Sequence, residues 1–297
     1  MFSITKPKLI NILIRLGIIL FAVILSRILA GDVILPQILN LGWITIHYYG
    51  LIMALAVGIG YWIATKRTTS FGISNELADN IIFWVIIFGF IGARLYHIAS
   101  SFNYYIVSPG EMLKVWNGGL SIYGAVLGGL FGLYFVLKIY TPTEGLKLSV
   151  LKVLDWLTPS LIVGQIIGRF GNMFNYEAYG YPTNFPWKMF VPEQFRTTQY
   201  ISSSYFHPFF LYEVLGNIFI FIVLLYLEGS GAKMPKKDGS LFIFYLLLYN
   251  ILRFCLEFIR IDSTFIGIFR LNAIVSLLLI VFSIIYFVRY RNNVKVP

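Results

Sequence analysis

Apolar residues in this chain run for about 20 positions at a time before a short polar stretch interrupts them, the length a helix needs to cross the hydrocarbon core of a bilayer. Eight such runs lie near 9–30, 44–64, 80–100, 119–138, 157–173, 209–227, 241–259 and 267–288. They are continuous, whereas strands of a membrane barrel would alternate in polarity over about ten residues. The pattern predicts an all-α integral membrane protein, a polytopic bundle of about eight transmembrane helices. The fifth run is the weakest, being short and interrupted by Pro159, Gly164 and Gly168.

Composition excludes a soluble domain: 58% of the 297 residues are apolar and 12% are charged. The loop cations set an orientation, because Lys and Arg stay on the cytoplasmic side. With the N-terminus inside, the cytoplasmic set is Lys6, Lys8, Lys66, Arg67, Lys138, Lys147, Lys152, Lys233, Lys236, Lys237, Arg289, Arg291 and Lys295. The external set is Lys114, Lys188, Arg196, Arg260 and Arg270. Thirteen against five predicts both termini in the cytoplasm. The net charge of +10 is then mostly topological, aided by attraction to anionic headgroups of the lipid bilayer, and nucleic acid is not an expected partner. The first run differs from a cleaved signal peptide, since Arg27 interrupts it and Ile28 occupies the small-residue position before a cut at Ala30. One cysteine, Cys255, and three scattered histidines (His47, His97, His207) leave no disulfide and no metal-ligand spacing. No metal and no cofactor is expected.

Residues 1–34 read as an additional N-terminal transmembrane helix ahead of one membrane domain, 35–297. The aromatic-rich segment 175–206, broken by Pro182, Pro186 and Pro192, suits the water–lipid interface and is expected outside. The 228–239 stretch reads as a solvated inner turn. No internal repeat is visible, which argues against a transporter built from two halves. Gly124, Gly128 and Gly132, and again Gly164 and Gly168, form small-xxx-small steps that let helix backbones approach closely.

Polar residues at membrane depth carry the functional signal. In GRFGNMFNYEAYG (168–180), Arg169, Asn172 and Asn175 recur every three residues on one helix face, with Glu177 at or just past the helix end. Arginine offers a fork of donors suited to a phosphate, and asparagine adds neutral donors beside it. Gly168 and Gly171 leave room for a headgroup against the backbone. An Arg–Glu pair stapling the bundle is the structural alternative. A second stripe, Tyr245, Tyr249, Arg253 and Glu257, recurs every four residues with Arg260 three further on, in a helix otherwise of Leu, Ile and Phe. Such a narrow stripe faces a bundle interior. Arg253 and Glu257 pair within the helix, or Arg253 faces Arg169 across an anion clamp. Arg94 in GARLYH binds a headgroup or snorkels to the outer interface. Tyr48 and Tyr49 open the second helix as interfacial anchors, and Tyr123 lies in WNGGLSIYG beside a glycine run.

Together these segments resemble bacterial prolipoprotein diacylglyceryl transferases. The resemblance runs in order through HYYGLIM (47–53), GARLYH (92–97), WNGGLSIYG (116–124), GRFGNMFNYEAYG, HPFFLYE (207–213) and LRFCLEFIRID (252–262). It implies an enzyme of the bacterial plasma (inner) membrane, its active site towards the outer face. The enzyme would move diacylglyceryl from phosphatidylglycerol to the lipobox cysteine of preprolipoprotein signal peptides, leaving a thioether and glycerol phosphate. By position, Arg169 and Arg253 become the essential arginines at the headgroup. Asn172 and Glu177 match polar residues of the signature, and Tyr49 and Tyr249 match tyrosines tied to activity. Arg94 and Asn175 join the headgroup set, and Tyr123 joins the catalytic set. Tyr123 stands where some members carry histidine, and a tyrosine, with a pKa near 10, is a poor base at neutral pH. Two alternatives stand beside this reading: a related transferase with another lipid donor or acceptor, and a non-catalytic membrane protein that binds an anion or lipid.

Overall fold

A computed structural model describes residues 6–140, 148–229 and 237–293. Lys147, Lys233, Lys236, Lys295 and most of the expected 228–239 turn lie outside them, as do the side chains of Lys6, Lys8 and Arg291. Among the described residues, eight helices are long and apolar enough to cross a membrane. They are α1 (Lys6–Ala30), α2 (Tyr48–Thr65), α4 (Asn75–Ser100), α6 (Ile122–Tyr140), α7 (Val150–Asn175), α8 (Phe209–Gly229), α9 (Ser240–Glu257) and α10 (Leu271–Asn293). The short helices α3 (Thr68–Phe71) and α5 (Phe102–Val107) lie between them. Three antiparallel hairpins, β1–β2 (Ile38–Asn40 with Thr45–His47), β3–β4 (Met189–Phe190 with Tyr205–Phe206) and β5–β6 (Phe265–Ile266 with Phe269–Arg270), complete the framework. The chain is a multi-pass membrane protein, and large apolar side chains such as Leu16, Ile18 and Leu20 of α1 are exposed on its surface.

The fifth run departs from expectation. Helix α7 is not short: it extends over 26 residues and carries Pro159 inside it. It starts at Val150 because Ser149 caps it, its hydroxyl accepting the Lys152 N–H at 3.1 Å. Asp155, a polar interruption in the sequence, is buried and works elsewhere. Its carboxylate accepts the N–H groups of Gly239 at 2.6 Å and Phe242 at 2.8 Å at the start of α9, supplying acceptors that a helix N-terminus lacks.

The chain forms two compact units, Met1–Val57 with Ile162–Tyr226 and Phe244–Pro297, and Gly58–Leu161 with Leu227–Ile243. The second is built on the α4–α6 pair. A methyl group added at Gly92, Gly124 or Gly128 would run into the carbonyl oxygen of Gly124, Gly92 or Phe88, respectively. Lipid gives helices no hydrophobic reason to associate, so such close backbone packing is what holds them. A core of Leu77, Ile81, Leu133, Val136, Val153 and Trp156 lies beside this contact, and the Trp156 indole donates to the Ala64 carbonyl at 2.9 Å. The Gly164–Gly168 step behaves differently. A methyl at Gly164 would find its nearest neighbour, the Ala56 carbonyl oxygen, at 3.9 Å, and one at Gly168 would touch the Met53 sulfur at 3.4 Å. Both are ordinary contacts, so no close helix approach occurs there.

In the first unit, Leu29, Met173, Tyr176, Tyr179, Met189, Val191, Phe206 and Phe210 form one buried cluster. It joins the end of α1, the end of α7 and the 176–208 segment. That segment is therefore a packed cap with its own hairpin.

Candidate active site

Helix α7 brings Arg169, Asn172 and Asn175 to one face in its last two turns. Arg169 Nη2 lies 2.9 Å from Glu213 Oε1 on α8, and its Nη1 donates at 3.5 Å to the Asn172 side-chain oxygen. Asn172 Nδ2 donates in turn to Glu177 Oε1 at 2.9 Å, and Asn175 Nδ2 reaches the same oxygen at 3.4 Å. An Arg–Glu pair, the structural alternative, thus forms at Arg169, but with Glu213 and not with the neighbouring Glu177. Arg169 takes a carboxylate from another helix, and Glu177 is held by the two asparagines. The signature glycines differ from expectation too. A methyl at Gly171 would come within 2.8 Å of the Tyr49 ring, so the room beside that backbone belongs to Tyr49 and not to a headgroup. Tyr49 also sits within electrostatic reach of Glu177 and Arg169.

On α9, Arg253 Nη2 lies 2.8 Å from Glu257 Oε2 one turn on, the pairing that the four-residue spacing allows. The stripe ends there. Arg260 lies beyond the helix, bridged to Gly180 of the signature, and its guanidinium grips Asp262, with Nη2 to Oδ2 at 2.7 Å. Burial alone would raise the Asp262 carboxyl, but this bond outweighs it and holds the group below the usual carboxylate range. Arg253 and Arg260 both lie over the Phe209 ring, at 5.5 and 5.7 Å. Tyr249 stacks on Tyr245 at 5.8 Å, and Tyr245 in turn hydrogen-bonds Gln165 and feels the charge of Arg169.

Glu213 ties these groups together. Its side chain is 2% exposed, and it interacts electrostatically with Arg169, Arg253 and Arg260 as well as with Glu257. Arg169 and Arg253 therefore both address one buried carboxylate. Their ion contacts are close in distance but lack hydrogen-bond direction. Both Glu213 oxygens, Glu257 Oε2 and Arg253 Nη1 are buried with no hydrogen-bond partner. Glu213 Oε1 and Glu257 Oε2 are ion-paired, which leaves Glu213 Oε2 and Arg253 Nη1. An unmet polar group in such surroundings costs about 1–3 kcal/mol, and Arg253 Nη1 is a donor suited to an anionic ligand.

Arg94 and Tyr123 belong to the other compact unit. Arg94 is buried, and its fork is filled by backbone. Nε donates to the Met112 carbonyl at 3.0 Å, Nη1 to Gly118 and Gly119 at 2.6 and 2.9 Å, and Nη2 to Glu111 and Lys114 at 2.5 and 3.4 Å. Five N–H groups meet five carbonyls, so Arg94 neither offers donors to a headgroup nor snorkels outward: it organises the 108–121 loop. Tyr123 packs against Tyr96 at 5.9 Å.

A profile of the prolipoprotein diacylglyceryl transferase family matches residues 36–289. The chain belongs to that family. The phosphatidylglycerol–prolipoprotein diacylglyceryl transferase of Thermotoga maritima is 36% identical over 293 residues, 97% of each chain. The enzymes so named from Thermosynechococcus vestitus (38% over 244 residues, 82% of this chain and 87% of the relative) and Fervidobacterium nodosum (37% over 270 residues, 91% and 89%) are similarly alike. The transferase profile spans every residue predicted for the site and leaves α1 before its start.

Sequence reasoning passed over Glu213, Asp262 and Arg270 as site residues. Glu213 stands alone in an apolar run, and its partners lie on α7 and α9, out of sight of any local spacing. Arg270 donates through Nη1 to the carbonyls of Glu257 at 2.5 Å and Arg260 at 3.0 Å, holding the end of α9. The local signals for Glu213 were its charge at membrane depth, rare enough to count as functional, and its place at the end of HPFFLYE.

Proposed function

We propose that this chain transfers the diacylglyceryl group of phosphatidylglycerol to the lipobox cysteine of preprolipoproteins in the bacterial inner membrane. The observation that carries the reading is the convergence of Arg169 and Arg253 on buried Glu213. In this reading the arginines receive the headgroup phosphate, with Asn172 and Asn175 as neutral donors and Tyr49 and Tyr249 at the edge of the site. The substrate thiol forms a bond from sulfur to the diacylglyceryl carbon. The bond from that carbon to the phosphate oxygen breaks, its electron pair leaves on the phosphate, and glycerol phosphate departs. Negative charge grows on phosphate oxygens as this happens, and preset guanidinium groups away from bulk water stabilise it. The thiol, with an ordinary pKa near 8.5, ionises more readily in the same positive field, and Glu177 takes its proton. Both termini lie in the cytoplasm, the site opens to the outer face, and residues 1–34 are a helix added to the transferase domain.

The test uses purified full-length protein in detergent containing phosphatidylglycerol, a lipobox peptide and mass spectrometry of the peptide. The expected result is a gain of one diacylglyceryl unit, absent when the peptide cysteine is replaced by alanine. No gain, with a family enzyme active alongside, overturns the reading and moves the search to other lipids and acceptors.

A further inference from the structure

Helix α7 ends in a Schellman motif built on an unusual residue. The Tyr176 N–H donates to the Met173 carbonyl at 3.2 Å and the Glu177 N–H to the Asn172 carbonyl at 3.1 Å, the two reverse bonds that define the motif. Its turning position takes a positive φ and is normally glycine. Here it is Tyr176, at φ 51°, a strained conformation for a bulky side chain.

The side chain's contacts explain why tyrosine stands there. Its hydroxyl accepts the Leu35 N–H at 2.7 Å, and its ring stacks on Phe195 at 5.1 Å with an 11° tilt. One residue earlier the Asn175 carbonyl, left without a partner by the end of the helix, accepts Gln37 Nε2 at 3.1 Å. The chain that supplies Leu35 and Gln37 is itself fixed. Leu29 is buried with Met173 and Tyr176, and Leu25 and Ile28 pack on the same cluster. Gly31, at φ +87°, lies so close to Phe190 that a methyl would come within 2.6 Å of the ring. The Tyr205 hydroxyl reaches the Ala30 carbonyl at 3.3 Å.

We infer that the end of α1 and the segment leading to Gln37 form a clamp that positions Glu177, with Tyr176 and Gln37 as its positioning residues. Glu177 stands past the last helical turn, where helix ends fray. The clamp holds the two residues immediately before it, and Asn172 and Asn175 then orient its carboxylate. A glycine at 176 would relieve the backbone and lose the tether. The clamp gives α1, which precedes the family match, a role in the reaction. This inference rests on the reading of Glu177 as the group that takes the thiol proton.

The test compares full-length Tyr176→Phe, Gln37→Leu and the double variant with wild type in lipobox-peptide transfer, thermal unfolding and deuterium uptake over 172–180. We expect unchanged melting, kcat lower by about tenfold or more and KM within about twofold. Uptake should rise at 175–178, and the double variant should be no slower than the slower single, because both bonds hold one turn. Gln37→Lys, which keeps a donor for the Asn175 carbonyl, should recover transfer. Wild-type kcat and uptake in both single variants overturn the clamp. So does a fall in melting temperature with uptake raised throughout the protein, which marks a merely structural role. If wild type itself transfers nothing, the proposed function falls and uptake alone decides: a local rise supports the clamp, and no change overturns it.

Discussion

Arg94 and Arg169 are both arginines in hydrophobic helices, and the sequence reading placed both in the headgroup set. Their surroundings in the two compact units separate them. Arg94 spends its whole fork on five backbone carbonyls, leaving nothing for a ligand. Arg169 meets one buried carboxylate at an angle short of a hydrogen bond and shares that carboxylate's field with Arg253. A charge at membrane depth is costly in either place. It marks a site only where its partners leave donors or acceptors unfilled.

The largest expected effect comes from the unfilled side of this comparison. Arg169→Ala and Arg253→Ala should each lower transfer by at least about 100-fold, with folded protein still recovered from the membrane. Normal turnover by well-folded Arg169→Ala would remove that arginine from the site. Arg94→Ala should do the reverse. It strips donors from five carbonyls and should destabilise the fold by at least about 3 kcal/mol, measured as a lower melting temperature in detergent. The fraction that folds should transfer normally. Lost transfer without lost stability would return Arg94 to the headgroup.

Two glycines give a smaller contrast. Gly92→Ala forces a methyl into the Gly124 carbonyl, and overpacking of this kind costs about 1–3 kcal/mol. Gly164→Ala makes only an ordinary contact, at 3.9 Å from the Ala56 carbonyl oxygen, and should shift stability by no more than about 0.5 kcal/mol. Equal melting shifts would mean that the α4–α6 contact is looser than described. The smallest effect concerns His207, whose imidazole burial holds below its ordinary pKa. The folded protein then binds that proton less readily than the unfolded chain does, so this site costs no stability while both forms are neutral. The cost appears as pH falls through the ordinary histidine range towards the folded value. His207→Gln should flatten the acid side of a melting-temperature profile, and an unchanged profile would assign that slope to other groups.

The eight spans were legible because run length alone sets them. The start of α7 was not, since Lys152 and Asp155 interrupt its hydropathy while Asp155 serves the first turn of α9. Arg169, Asn172 and Asn175 could be placed on one face from their spacing. Asn172 and Asn175 bond Glu177, a near neighbour in the chain. Glu213 could not be found this way, because its partners are on other helices. Arg94 was misread for a related reason: its partners are carbonyl oxygens, which every residue carries and no sequence marks. The Tyr49 ring against Gly171 is likewise a contact between distant segments.

The Asp155 carboxylate has one more consequence. It sits on the helix that carries Arg169 and grips the first amides of the helix that carries Arg253. Helices in a bilayer meet a change in membrane thickness by tilting or kinking, and packing against their neighbours sets how far they do so. A slip of one turn here would strand a buried carboxylate and two amides, so the start of α9 is keyed to a single register on α7.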